Sequence, residues 1–120
     1  MTKYKVVLIP FPFDDFSTTK VWPAVCLTEP ISPLRHVVLA FVTSRVQDKL
    51  LATDVLIDAH DTDFALTGLH VSSTLQLHHL MTARTSLIRR ELGQLPATLQ
   101  TQVKQRLRAL FELEEDAQNE

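Results

Sequence analysis

Two short segments hold groups able to converge on a phosphate: Lys20-Val21-Trp22-Pro23 and Thr43-Ser44-Arg45. Each marks the boundary of an apolar run that reads as a strand, where side chains leave the pleat and can meet. The hydroxyls of Thr43 and Ser44 can donate to phosphate oxygens. Lys20 and Arg45 offer charge, and Trp22 offers a face on which a nucleobase can stack. Threonine at a strand end is also an ordinary structural choice, so Thr43 gains its meaning from its neighbours. A third set lies further along, where strand alternation places His70, Ser72, Thr74, Gln76 and His78 on one face. Val71, Ser73, Leu75, Leu77 and Met81 then fall on the other, core-facing side. The polar row suits reading base edges or orienting a phosphate, and it serves equally as a solvated barrel wall.

Other chemistries find less support. His60, Asp61, Asp63, His70, His78 and His79 are possible ligands, but no two histidines show the i, i+4 helical spacing of a zinc protease. His78 and His79, adjacent on a strand, point to opposite faces, so neither a metal nor any other cofactor is expected. With two glycines in the whole chain there is no glycine-rich phosphate loop. Cys26, the single cysteine, lies in the apolar run 21–27 and reads as a buried small hydrophobe rather than a nucleophile. The connection 11–20 holds Phe11, Phe13, Phe16, Asp14, Asp15 and Lys20. It is either an aromatic cap on one end of the core or a mobile flap that stacks on bases.

The elements that position these groups follow from periodicity. Residues 4–9, 21–28, 36–43, 53–58 and 70–81 are rich in Val, Ile, Leu and Thr and are bounded by Pro, Asp, Ser or Gly, as strands are. No strong helical segment separates them, so antiparallel pairing into a small barrel is expected. A helical turn at 86–89 and a short strand ending at Leu95 come next. Leu99, Val103, Leu107, Leu110 and Phe111 then recur on one helical face, with Pro96 in the first turn. Glu112, Glu114, Glu115, Asp116 and Glu120 crowd the helix C-terminus, where the dipole disfavours them. Fraying after about Leu113 is expected, so that residues 1–114 form one domain and 115–120 a disordered acidic tail.

A chain of 120 residues, 45% hydrophobic and 22% charged, can bury one core without disulfides or metal. Its formal charge of −2 gives no global basic field of the kind expected of a protein that coats duplex DNA. A local groove still suffices for single-stranded RNA. No apolar run approaches the roughly 18 residues that span a membrane, and the lone cysteine points to a reducing, cytoplasmic location without membrane partners.

In order along the chain, Val6-Val7-Leu8-Ile9-Pro10-Phe11-Pro12-Phe13, Trp22-Pro23-Ala24-Val25-Cys26-Leu27, residues 37–44, Gly68-Leu69 leading into 71–82, and Ser86-Leu87-Ile88-Arg89-Arg90-Glu91-Leu92-Gly93-Gln94-Leu95 resemble the MazF/PemK (also Kid) growth-inhibitor family. These are the toxins of bacterial toxin–antitoxin pairs. The resemblance implies an SH3-like antiparallel barrel with a C-terminal helix, forming a two-fold homodimer with an RNA groove near its interface. It implies metal-independent endoribonuclease activity on single-stranded RNA, often mRNA, by attack of the ribose 2′-hydroxyl on its own phosphate. It also implies a cognate antitoxin as partner, with DNA reached only through that antitoxin.

Residue by residue, the family's threonine in its Thr-Ser pair matches Thr43, a donor to the scissile phosphate. The family's arginine before the Pro-Ala/Val segment falls on Trp22, which supplies neither charge nor bidentate donors. On the fifth strand the family's Asp-Gln falls on His78-His79. The arginine before the following threonine falls on Met81, and one that some members carry falls on Gln76. Two readings stay open. Either the chemistry is rebuilt, with His78 as acid or base and Lys20 or Arg45 as charge, or the chain is a degenerate toxin that binds RNA or antitoxin without cutting. The RNA-contacting set is Lys20, Trp22, Ser44, Arg45 and Gln76.

Overall fold

Period-two patterning produces six strands, which a computed structural model of the chain describes over residues 1–10 and 20–114. They are β1 (Lys5–Pro10), β2 (Val21–Cys26), β3 (His36–Thr43), β4 (Asp54–Ile57), β5 (Ser73–Arg84) and β6 (Arg90–Gln94). One helix follows, α1 (Ala97–Leu110), and short 3-10 turns occupy Phe64–Thr67 and Thr85–Leu87. The strands form a single sheet in the order β4-β5-β3-β2-β1-β6, antiparallel throughout. It curls into a half-barrel, the mostly-β architecture expected from the sequence. The connection at 11–19 and the tail at 115–120, expected as a flap and a disordered segment, lie outside the described residues.

Opposed residues on antiparallel strands share a face, and the register sorts the core into two layers. Val6, Val25 and Ala40 make one rung across β1, β2 and β3. With Val42, Val55, Ile57, Leu75 and Leu77 they fill the concave interior. Helix α1 packs against β4 and β5 and adds Leu99 and Val103 to this layer. The alternate residues Val7, Ile9, Ala24, Cys26, Leu39 and Phe41 form a second apolar cluster on the opposite face. Each aliphatic side chain so buried contributes about 1.5–3 kcal/mol. Cys26 is fully buried. Burial, with the nearby carboxylates of Glu91 and Glu29 adding to it, pushes the thiol up to about 11, so it stays protonated at neutral pH and is no nucleophile.

The fifth strand departs from simple alternation. It begins at Ser73, so His70 and Ser72 precede it, and Val71, assigned to the core from the sequence, is exposed. Leu75 and Leu77 are buried as expected. The register then slips: Phe41 pairs with Gln76 while Ala40 pairs with Leu80. Leu77, His78 and His79 therefore bulge, and the odd number of extra residues reverses the phase. Met81 pairs with Leu39 and joins the second cluster, not the first. At the helix, Pro96 is the N-cap residue rather than a first-turn position, and α1 ends at Leu110, with Glu112 in the left-handed region at φ 54°.

Candidate functional site

Thr43 closes β3 opposite Thr74 of β5. Its Oγ1 accepts the Arg45 backbone N–H at 3.2 Å, and the Thr74 hydroxyl donates to the Arg45 carbonyl at 3.2 Å. These two bonds fix the turn by which the chain leaves the strand, and they leave the Thr43 proton available to an anion. Trp22 lies in the neighbouring strand, packed against the second apolar cluster. Both residues line each of two clefts. The larger, 350 Å³, has Leu8, Pro23 and Val42 along its base and Ser44, Leu69, His70 and Arg90 around them. The smaller, 270 Å³, adds Phe41, Gln76 and His79.

The sequence-based candidates divide on this geometry. Thr43, Ser44 and Trp22 come together as expected, and Gln76 joins Thr43 and Trp22 at the smaller cleft. Lys20 reaches back over Trp22, with Nζ 5.1 Å from the ring centroid. Arg45 contributes its backbone to the turn, but it lines neither cleft. His78 is carried elsewhere by the bulge, where its Nδ1 lies 3.2 Å from the Thr53 hydroxyl. His79, which was not among the site residues picked from the sequence, lines the smaller cleft and stacks at a tilt on Phe41 with ring centroids 4.9 Å apart.

Two further cleft residues were not among the site residues picked from the sequence: His70 had only its place in the polar row and among possible metal ligands, and Arg90 had no role. His70 lines the larger cleft from the segment just ahead of β5, and Arg90 opens β6. Arg90 owes its place to a register slip: Val6 pairs with Gly93, but Val7 pairs with Glu91 and Leu8 with Arg90. In an unbroken register Leu8 would face Glu91. The extra residue, Leu92, puts the arginine on the cleft face and turns Glu91 to the other side, where it meets Lys5 at 2.8 Å. Among the described residues Arg90 has no carboxylate partner.

A third cavity, 360 Å³, lies between Asp58, Asp61, Asp63 and the start of α1. The His60 backbone N–H and ring beside Asp58 hold its carboxyl below the usual range, so this cavity is negatively charged and repels a polyanion. No group of three or more His, Cys, Asp or Glu side chains able to hold a metal occurs among the described residues. No described helix is long and apolar enough to cross a membrane.

The sequence model for PemK-like, MazF-like toxins of type II toxin–antitoxin systems matches residues 2–111. The chain belongs to this toxin family. Solved structures agree on the fold. The Mycobacterium tuberculosis toxin MazF-mt6 superimposes with a TM-score of 0.69 at 21% identity, over 92% of this chain and 98% of that one. An endoribonuclease in complex with its cognate antitoxin, from a mycobacterial species, gives 0.71 at 12% identity, over 97% and 99%. MazE–MazF from Deinococcus radiodurans gives 0.65 at 20% identity, over 94% and 96%. No curated protein matches the chain. In this toxin Trp22 lines both clefts, together with Val42 and Thr43.

Proposed function

We propose that this MazF-like toxin is an endoribonuclease that cuts single-stranded RNA, mRNA included, without a metal, by attack of a ribose 2′-hydroxyl on the adjoining phosphate. The observation that carries the reading is Thr43, held by its turn on the shared wall of two clefts, one with an arginine and an imidazole and the other aromatic. Its hydroxyl donates to the scissile phosphate, with Ser44 beside it. A base stacks on Trp22, backed by Lys20, while Gln76 meets a base edge and Arg45 steadies a flanking phosphate. One structural neighbour is described in complex with its cognate antitoxin, and another as MazE–MazF. By extension this toxin works in the cytoplasm as a homodimer whose groove a cognate antitoxin occupies, with DNA contacted only through that antitoxin.

The test is to incubate the purified protein with mixed-sequence single-stranded RNA in EDTA and map the ends. Cuts leaving a cyclic phosphate are expected, and intact RNA would overturn the reading. Stacking on Trp22 predicts that Trp22→Ala weakens binding of a 2′-O-methyl RNA about tenfold, within the roughly 1–3 kcal/mol of a base–aromatic contact; fluorescence anisotropy reads this directly. Trp22 also favours a second reading, a degenerate toxin that binds RNA or antitoxin without cutting. In that case the parent leaves RNA whole and Trp22→Arg begins to cut it.

A further inference from the structure

We infer that His70 and Arg90 are the proton acceptor and the phosphate-binding cation of the Thr43 cleft, taking over the work of the arginine that Trp22 replaces. The inference rests on the ribonuclease reading and adds to it two residues that line the cleft with Thr43.

The case for Arg90 is the slip in β6. A regular ladder would put the Glu91 carboxylate beside Leu8 and Pro23 and expel a phosphate. One extra residue puts a guanidinium there instead, while Glu91 is held away by Lys5. Among the described residues no acid neutralises that guanidinium, so its paired donors are available to a phosphate. Among the described residues that line the cleft, Arg90 and His70 are the two with titratable side chains. His70 is exposed on the segment that enters β5, and the position paired with Thr43, Thr74, is in that strand. Among the described residues lining the cleft, the His70 imidazole is the side chain able to accept a proton from a hydroxyl.

The step balances without any further reagent. The 2′-oxygen forms a bond to phosphorus and gives its proton to the His70 imidazole. The bond from phosphorus to the 5′-oxygen breaks, and that oxygen takes a proton from water at the open mouth. The imidazolium then returns its proton to solvent. Charge on the pentacoordinate phosphate is met by Arg90 and the Thr43 hydroxyl.

The experiment compares the parent, Thr43→Ala, His70→Gln, Arg90→Gln and Arg90→Lys. One arm measures single-turnover cleavage of single-stranded RNA across pH. The other measures binding of a ten-nucleotide 2′-O-methyl RNA across salt. Arg90→Gln is expected to slow cutting about 10²–10³-fold and to reduce the slope of log affinity against log salt by about 0.7, one phosphate contact on a single strand. Arg90→Lys should recover part of both. His70→Gln should slow cutting about 10²–10⁴-fold and remove the acid limb of the rate profile while leaving binding nearly intact. Both side chains are exposed, so the variants should keep the parental Tm. If Thr43→Ala abolishes cutting while the His70 and Arg90 variants cut within twofold of the parent, the inference falls and the ribonuclease reading stands. If the parent never cuts yet its binding shows the Arg90-dependent slope, the ribonuclease reading and the His70 role fall, and the phosphate seat stands. If the parent neither cuts nor binds RNA, both are overturned.

Discussion

Thr43→Ala is expected to lower RNA cleavage by at least about 10²-fold, the cost of removing one positioned donor from a developing oxyanion, with almost no loss of stability. The asymmetry follows from where the side chain sits. Thr43 is partly exposed at the end of β3, and its hydroxyl accepts one backbone N–H, that of Arg45, at 3.2 Å. Water can take over that bond, so its loss costs about 1 kcal/mol or less. The turn is also held from the other side by the Thr74 hydroxyl on the Arg45 carbonyl. Single-turnover cleavage beside a thermal melt separates the two effects. Thr43→Ser keeps the donor and should remain within about tenfold of the parent. Parental cutting by Thr43→Ala would remove Thr43 from the chemistry, however well the fold is preserved.

What the sequence revealed was set by periodicity, and what it hid was set by register. Strand β3 was legible to the residue because both ends are marked by composition, and Thr43 with it. The position of Trp22 beside Thr43 was legible too, because both fall at the ends of composition-marked strands that pair in neighbouring positions of the sheet. The faces of β5 were not, since a bulge opposite Ala40 and Phe41 inserts residues that no local pattern announces. That bulge separates His78 from the clefts and brings His79 to Phe41 instead. The same limit hid Arg90. In Arg89-Arg90-Glu91-Leu92-Gly93 both signs of charge are present, and only the pairing partner across β1 decides which one faces the cleft. A slip of one residue moves every side chain beyond it to the other face, so charge selection at the cleft is a property of the ladder rather than of the string.

Gly93→Ala is expected to destabilise the protein by about 3 kcal/mol, the upper part of the range for overpacking a filled site, lowering Tm by roughly 10–15 °C in a chain of this size. The chain has two glycines, and both lie at one crossing. A Cβ on Gly93 would sit 2.1 Å from the Leu66 carbonyl oxygen, and one on Gly68 would sit 2.1 Å from the Leu92 carbonyl oxygen. The obstacles are backbone atoms, not flexible side-chain ends, so relief requires the 64–69 segment to lift from β6. That segment resists, because Thr67 is fully buried and its hydroxyl donates to the Phe64 carbonyl at 2.7 Å. Gly68 also holds φ 73°, a conformation that alanine adopts only at further cost. Gly68→Ala should therefore be the more damaging of the two. If both act by the same displacement, the double variant loses less than the sum of the singles. Gly68 and Leu69 line the cleft next to His70, so lifting the segment should also impair RNA cutting at temperatures where the variant is still folded. A melt of Gly93→Ala within about 2 °C of the parent would show that the crossing yields freely, and the cleft would then have no rigid floor.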